Sequence, residues 1–288
     1  MTSLVLVTGA TGFVGRQILS ALSASGVRIR VVIREGSESK LGFLNVIDSI
    51  VMSKDIFAED AKWWTDACKN VDTIIHCAWY AEPGKYLQSE KNIDCLIGTL
   101  NIAKGAVEAK VRRFVGIGTC FEYDLSDGVL SVETALRPLT PYAASKVATF
   151  LQLSHYFPLC GIIFTWCRLF YLYGEGEDLR RFVPYLHSKL SAGEYADLTS
   201  GKQIRDFMDV KEAGQLIADI ALNNGQGAIN ICSGLPVTIR ELAERIADVY
   251  GRRDLLRFGA RQDNIFDPPC VIGVKSKNSI FSDIKLIQ

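Results

Sequence analysis

The sequence predicts an α/β protein, with a doubly wound parallel sheet in residues 1–170 and a smaller C-terminal α/β lobe in residues 171–288. Three observations lead there. Short Val-, Ile- and Leu-rich runs alternate with longer helical patterns through the first part of the chain. Right-handed crossovers between such strands place helices on both faces of a parallel sheet. The first apolar run ends in Gly9, Gly12 and Gly15, directly before an amphipathic pattern.

That first run, Leu4-Val5-Leu6-Val7, is too short for a helix and reads as a buried strand. Gly9 permits a tight turn, Gly12 a close approach of backbone to a pyrophosphate, and Gly15 close packing of helix on strand. The helix marked by Phe13, Val14, Ile18, Leu19 and Leu22 would then aim its unpaired N–H groups at the phosphates. Thr8, Gly9, Thr11, Gly12, Phe13, Val14, Gly15 and Arg16 are therefore the expected contacts of a dinucleotide. Arg28–Ile33, Val46–Met52, Val71–Ala78, Arg112–Gly118 and Ile162–Leu169 read as further strands, and Gln88–Ala109 and Pro141–Phe157 as helices. Ligands belong at the carboxyl ends of such strands. Past Tyr171 the rhythm changes: Arg180–Ala192, Val210–Asn224 and Thr238–Tyr250 look helical, with a short strand at Ala228–Cys232. Some of these elements are free to return to the main sheet. The tail from Leu255 reads as irregular, since Pro268-Pro269 breaks any helix. Val271–Gln288 shows no final helix, which suggests a reduced lid.

Composition narrows the function. The 32 basic and 32 acidic residues balance, which favours neither nucleic acid nor an anionic membrane as partner. Apolar residues make up 48%, yet no run reaches the length of a membrane span. The chain enters a core strand at once, so no signal peptide is expected and the cytoplasm is the expected location. Eight cysteines without a C-x-x-C pair and three scattered histidines make a poor ligand set, and no metal is expected.

Two further stretches carry chemistry. Thr140 suits an N-cap and Pro141 the first helical position, so Tyr142 and Lys146, four apart, share a helix face. A phenol titrates near pH ~10, and a neighbouring ammonium and helix N-terminus would lower that value towards a working acid–base range. Thr119 closes the fifth strand, where its hydroxyl can donate to and accept from a ligand. A chance Tyr-x-x-x-Lys spacing and a Thr that merely ends a strand are the plain alternatives.

Taken together, Thr8-Gly9-Ala10-Thr11-Gly12-Phe13-Val14-Gly15, the Thr119 strand end and Tyr142-Ala143-Ala144-Ser145-Lys146 resemble the extended short-chain dehydrogenase/reductase family. Many of its members act on nucleotide sugars, on a Rossmann sheet, and the resemblance spans nearly the whole chain. It implies that Tyr142 is the general acid/base, that Lys146 holds the nicotinamide ribose and lowers the phenol pKa, and that Thr119 orients the substrate oxygen. Gly201–Val210 resembles the segment in which an Arg grips the substrate diphosphate, which implies that role for Arg205, with Arg261 as a second candidate. Without the resemblance, Arg205 would read as a surface ion-pair residue. Asp55 and Ile56 resemble the adenine contact and Ala78 the small residue beside the cofactor. Asn92 resembles a helix polar group near the site, although a solvated helix face accounts for it equally well. Tyr171 stands where the family usually carries a substrate-touching Asn. The helices from Gln88 and Pro141 resemble the pair that forms a four-helix homodimer interface.

The family's acidic ribose-binding position at the end of strand two is occupied by Arg34, with Glu35 next to it and Arg16 near the glycine loop. A basic residue there favours a ribose phosphate, so the expected cofactor is NADP(H), with NAD(H) as the alternative. Sugar 4,6-dehydratases carry an Asp-Glu pair after the Thr; Cys120-Phe121 stand here and cannot serve as carboxyl acids. The run from Gly118 to Tyr123 looks closer to reductases that complete deoxysugars such as abequose or fucose derivatives. The resulting expectation is NADPH-dependent reduction of a nucleotide-linked 4-keto-6-deoxyhexose. A 4-epimerase with tightly bound NAD is the alternative, and a non-catalytic nucleotide-binding sensor a third class.

Overall fold

A computed structural model describes residues 2–41, 44–223, 225–264 and 267–276. Strand β1 (Leu4–Thr8) runs through the glycine turn into α1 (Phe13–Ser23), followed by β2 (Arg28–Arg34) and β3 (Ile47–Ser53). Next come α2 (Ala61–Ala67), β4 (Thr73–His76), α3 (Lys91–Glu108), β5 (Arg113–Thr119), β6 (Val129–Leu130), α4 (Pro141–Leu159) and β7 (Ile163–Leu169). The C-terminal part adds β8 (Tyr171–Tyr173), α5 (Phe182–Ser191), β9 (Ala196–Leu198), β10 (Ile204–Asp209) and α6 (Val210–Leu222). It ends with β11 (Gly227–Ile231), β12 (Pro236–Thr238), α7 (Ile239–Tyr250), β13 (Leu256–Phe258) and β14 (Cys270–Gly273).

Seven strands form one parallel sheet in the order β11-β7-β5-β4-β1-β2-β3. Its central strands β1 and β5 are buried at every position, as expected of parallel strands covered on both faces. The two-residue period of β1 divides its side chains between two cores. Val5 and Val7 join Ile18, Leu19 and Leu22 of α1 and Ile217 of α6, whereas Leu4 and Leu6 join Trp64, Ile102, Phe114 and Phe157. The chain order reverses between β1 and β4, so a crevice opens above the carboxyl ends of these two neighbours.

Part of the C-terminal half belongs to this sheet. β11 pairs with β7, and α6 lies on α1, where Gly214 approaches the Gln17 backbone so closely that a Cβ would sit 2.7 Å from its carbonyl carbon. The smaller lobe comprises α5, α7, the β9–β13 pair and a sheet ordered β12-β10-β14-β6, with β8 also on β10. Val183, Leu186, Leu190, Leu198, Ile246 and Leu255 make its core.

The tail after Leu255 is not irregular throughout. β13 pairs with β9, and β14 is held between β10 and β6. These strands are short and find partners far away in sequence, which leaves no local period to read. Helix α2 also escapes the pattern, because only Trp64 and Ala67 of its seven residues are buried. Asn224, at the expected end of the helix from Val210, and residues 277–288 of the tail lie outside the described residues. Among the described residues no helix is long and apolar enough to cross a membrane.

Candidate active site

The glycine turn is built by close approach. Gly9 has φ +71°, and a Cβ on it would lie 2.7 Å from Ala78 N. A Cβ on Gly15 would strike the Gly9 carbonyl oxygen, so α1 can sit this close to the turn only with glycine there. Gly12 differs: its N–H donates to Gly9 O at 2.9 Å, and a Cβ would meet only that oxygen, at 3.3 Å. α1 begins after Gly12 without a side-chain cap or an acidic residue in its first turn, leaving its first N–H groups to an anion.

Thr8 lies behind this turn rather than in it. Its hydroxyl accepts from Ala78 N at 3.2 Å and meets His76 Nδ1 at 2.8 Å. Thr99 donates its hydroxyl proton to Cys95 O, so His76 Nε2 is the donor to Thr99 at 3.0 Å and Nδ1 accepts from Thr8. Burial pushes His76 down to about 3, which keeps this bridge between β1 and β4 neutral.

A cavity of about 1250 Å³ covers the carboxyl ends of the main sheet. Its wall carries Arg34 at the end of β2 with Ser37 and Lys40 beyond it, then Gly9, Thr11 to Gly15, Ile56 and Ala78, then Thr119, Tyr142 and Lys146, and finally Tyr171, Arg205 and Arg261. Four of the residues singled out in the sequence stand off that wall. Thr8 is one; Arg16 instead faces a neighbouring cleft of about 860 Å³ shared with Lys40, Glu175 and Lys211. Asp55 accepts from Phe57 N at 3.1 Å, a turn that places Ile56 in the wall. Asn92 is buried, accepting from Trp79 Nε1 at 2.9 Å and donating to Tyr86 O at 2.7 Å and Ser89 O at 2.8 Å.

Tyr142 and Lys146 sit on the first turns of α4, which starts as its sequence predicts: Thr140 accepts from Ala143 N at 3.2 Å and Pro141 follows. The Tyr142 ring is held edge-on by Tyr86 at 4.8 Å and by Trp79 at 6.4 Å between centroids. Lys146 Nζ donates to Ile117 O at 2.6 Å and lies 3.7 Å from the centre of a Trp79 ring. Thr119 ends β5 beside them, its hydroxyl accepting from Phe121 N at 3.3 Å.

The charge states differ from the sequence expectation in one respect. Burial holds the Tyr142 phenol far above its ordinary value, reinforced by Tyr86 and the Glu122 charge and opposed by the neighbouring Thr119 hydroxyl. The ammonium does not lower it here, because Lys146 is turned to a carbonyl and an indole face. Burial pushes Lys146 itself down to about 8, against the Glu122 charge that raises it. Around neutral pH the phenol is thus a proton donor and Lys146 the group nearer its titration point.

At the other end of the cavity, Arg205 is buried on β10. Its guanidinium meets Asp267 Oδ1 at 2.7 Å, donates to Ile204 O at 2.8 Å and lies 5.4 Å from the Tyr171 ring centre. Arg261 is exposed and donates to Tyr185 OH at 3.2 Å. Glu177, in the same wall, is pushed up to about 7 by burial.

Sequence reasoning missed Trp79, Tyr86, Glu122, Glu177 and Asp267. For Glu122 a signal was present. β5 carries Gly116 and Gly118, and glycines inside a strand mark close approach. A Cβ on Gly116 would enter the Trp166 ring, and one on Gly118 would strike both Trp166 and the Glu122 carboxylate.

The glycine cradle and the uncapped helix start have the form of a dinucleotide site. Among the described residues no group of three or more His, Cys, Asp or Glu is placed to hold a metal ion. The profile of the NAD dependent epimerase/dehydratase family matches residues 5–232. The dTDP-6-deoxy-L-talose 4-dehydrogenase (NAD(+)) of Aggregatibacter actinomycetemcomitans is 24% identical, over 94% of this chain and 99% of that protein. The CDP-abequose synthase of Salmonella muenchen is also 24% identical, over 91% of this chain and 87% of the relative. Among solved structures, the UDP-N-acetylglucosamine 4-epimerase of Methanobrevibacter ruminantium M1, in complex with UDP-N-acetylmuramic acid, aligns with a TM-score of 0.83 at 23% identity. That alignment covers 96% of this chain and 91% of the epimerase chain and shows the shared fold.

Proposed function

The chain belongs to the NAD dependent epimerase/dehydratase family, and from that premise we propose that it reduces a nucleotide-linked 4-keto-6-deoxyhexose at the expense of NADPH. It is an NAD(P)-dependent oxidoreductase/epimerase of the nucleotide-sugar class. The finer reading rests on one observation above all: Thr119, Tyr142 and Lys146 share a cavity wall with the glycine cradle and with Arg34 and Lys40 at and beyond the end of β2. A nicotinamide dinucleotide held on the glycine cradle would supply the hydride. Thr119 hydrogen-bonds the carbonyl oxygen, and Tyr142, protonated by virtue of its burial, delivers a proton to that oxygen as negative charge develops on it. Lys146 binds the nicotinamide ribose and compensates the charge left behind on the phenol.

Arg34, Ser37 and Lys40 present two cations and a hydroxyl where a ribose 2′-phosphate would lie, which supports NADP(H). Arg205 and Arg261 take the substrate diphosphate at the far end. Turnover of a panel of nucleotide-linked 4-keto-6-deoxyhexoses with NADPH and with NADH tests both assignments. A clear NADH preference overturns the cofactor; no turnover with either overturns the reaction.

The same three side chains serve oxidation and reduction of one carbon, and a relative's name specifies NAD(+). That keeps a 4-epimerase with tightly held NAD as the second reading. Purified protein converting a sugar nucleotide with no added cofactor would establish it. The homodimer reading is supported by Ile93 and Ile97 of α3 and Leu151 of α4, all about half exposed on packed neighbouring helices. Light scattering in solution should report twice the chain mass, and a monomeric mass would reject it.

A further inference from the structure

Beneath the Thr119 end of β5 lies an ion pair sealed from solvent, with side-chain exposures of 0% for Glu122 and 1% for Arg168. Glu122 Oε2 accepts from Arg168 Nε at 2.7 Å, and both carboxylate oxygens accept from Trp166 Nε1 at 3.0 Å. Oε1 also accepts the Thr119 backbone N–H at 2.8 Å. Arg168 is held in turn: Nη1 donates to Tyr123 OH at 3.0 Å, and the guanidinium lies 4.6 Å from the Tyr123 ring centre and 4.5 Å from that of Phe150. Tyr123 OH donates a hydrogen bond to Asn230 Oδ1 at 2.6 Å. The strand gives up two side chains, at Gly116 and Gly118, to make room for this arrangement.

An apolar filling of the same volume would stabilise a fold as well as a buried ion pair or better. The placement supplies another reason. Glu122 stands one turn after Thr119, and its charge reaches Tyr142 and Lys146 on α4, keeping protons on both. The other charged and titratable groups that face it are Arg168 on β7 and Cys120 and Tyr123 on its own turn.

We propose that Glu122 is a positioning residue of the active site: anchored by Arg168 and Trp166, its carboxylate fixes the Thr119 strand end and supplies a negative group to the pocket that holds Lys146. This rests on the reading in which Thr119, Tyr142 and Lys146 serve cofactor-dependent sugar chemistry.

Removing Glu122 alone would strand the Arg168 charge, so the test uses the pair Glu122→Gln with Arg168→Met. That variant keeps an amide oxygen for the Thr119 and Trp166 N–H groups and removes both charges. Glu122→Asp is the companion, keeping the charge and shortening the reach. NADPH binding is followed by fluorescence from about pH 6 to pH 10 without substrate, and kcat and KM are followed over the same range with a keto sugar. In the double variant the basic inflection of both profiles should fall by about one pH unit, with NADPH affinity near pH 6 within about twofold of wild type. Glu122→Asp should keep the wild-type inflection while kcat drops about tenfold and KM stays near its starting value. Profiles of the double variant that superimpose on wild type, or a Glu122→Asp enzyme with undiminished kcat, overturn the proposal. The binding arm needs no sugar, so a wild type that binds NADPH yet reduces nothing rejects the reaction and leaves the Glu122 result readable.

Discussion

Two glycines of the same turn should fail in opposite ways when replaced by alanine. At Gly15 a Cβ would overlap the Gly9 carbonyl, whose position is fixed by β1 and by the contact of Gly9 with Ala78. The helix must therefore back away, an overpacking that costs about 1–3 kcal/mol. At Gly12 the backbone has φ −84° and ψ 173°, open to any residue, and a Cβ meets only one oxygen, at 3.3 Å. Reduced unfolded-state entropy and a weaker N-cap nearly cancel there, leaving stability within about 1 kcal/mol of wild type. The added methyl instead occupies the approach to the first N–H groups of α1. Losing one or two hydrogen bonds to a charged phosphate, at about 1.5–3 kcal/mol each, weakens cofactor binding by at least about tenfold. Thermal unfolding and NADPH fluorescence titration, run on both variants, separate the outcomes. Gly15→Ala should lose several degrees of Tm, and Gly12→Ala should keep its Tm and lose affinity. A Gly12→Ala protein that binds NADPH like wild type would refute the assignment of this turn to the pyrophosphate.

Asp206 is buried and accepts from Ser233 N at 2.8 Å, Ser233 Oγ at 2.6 Å, Gly234 N at 2.9 Å and Gly273 N at 3.1 Å, tying β10 to β14 and to the loop after β11. Asp206→Ala strands these donors and should cost about 3 kcal/mol or more in urea unfolding. The Arg205–Asp267 contact at 2.7 Å must open if a diphosphate takes the guanidinium. Asp267→Ala should then tighten binding of a nucleoside diphosphate several-fold by calorimetry, with weaker binding as the contrary result. Lys146, pushed down to about 8, loses its proton as pH rises through that value, so reduction should fall above about pH 8 and hold below it. A kcat profile flat to pH ~10 would contradict this.

Local order carried much of the fold into the sequence. The β1–turn–α1 unit and the start of α4 are written in contiguous residues, Gly9 to Gly15 and Thr140 to Lys146, so pattern and capping rules reach them. Strand β14 was unreadable because what makes it a strand is its register with β10 and β6, far away along the chain. The same holds within the site. Glu122 acquires its meaning from Trp166 and Arg168, which arrive from β7. Asn92 was visible as a polar group on a helix, but its saturation by Trp79, Tyr86 and Ser89 could be seen only once those groups were folded around it. Proximity of Tyr142 to Lys146 was correctly read from the four-residue spacing. Which way the ammonium points was not, since Ile117 O and the Trp79 face that capture it belong to other elements.

The proposed reduction turns on Tyr142 as the proton donor. Single-turnover oxidation of bound NADPH by a nucleotide-linked 4-keto-6-deoxyhexose, compared between wild type and Tyr142→Phe, measures that donation directly. The substitution keeps the ring against Tyr86 and Trp79 and removes one hydroxyl, so the rate should drop by about 10²–10⁴-fold with NADPH affinity retained. A Tyr142→Phe protein that turns over within a fewfold of wild type would contradict it.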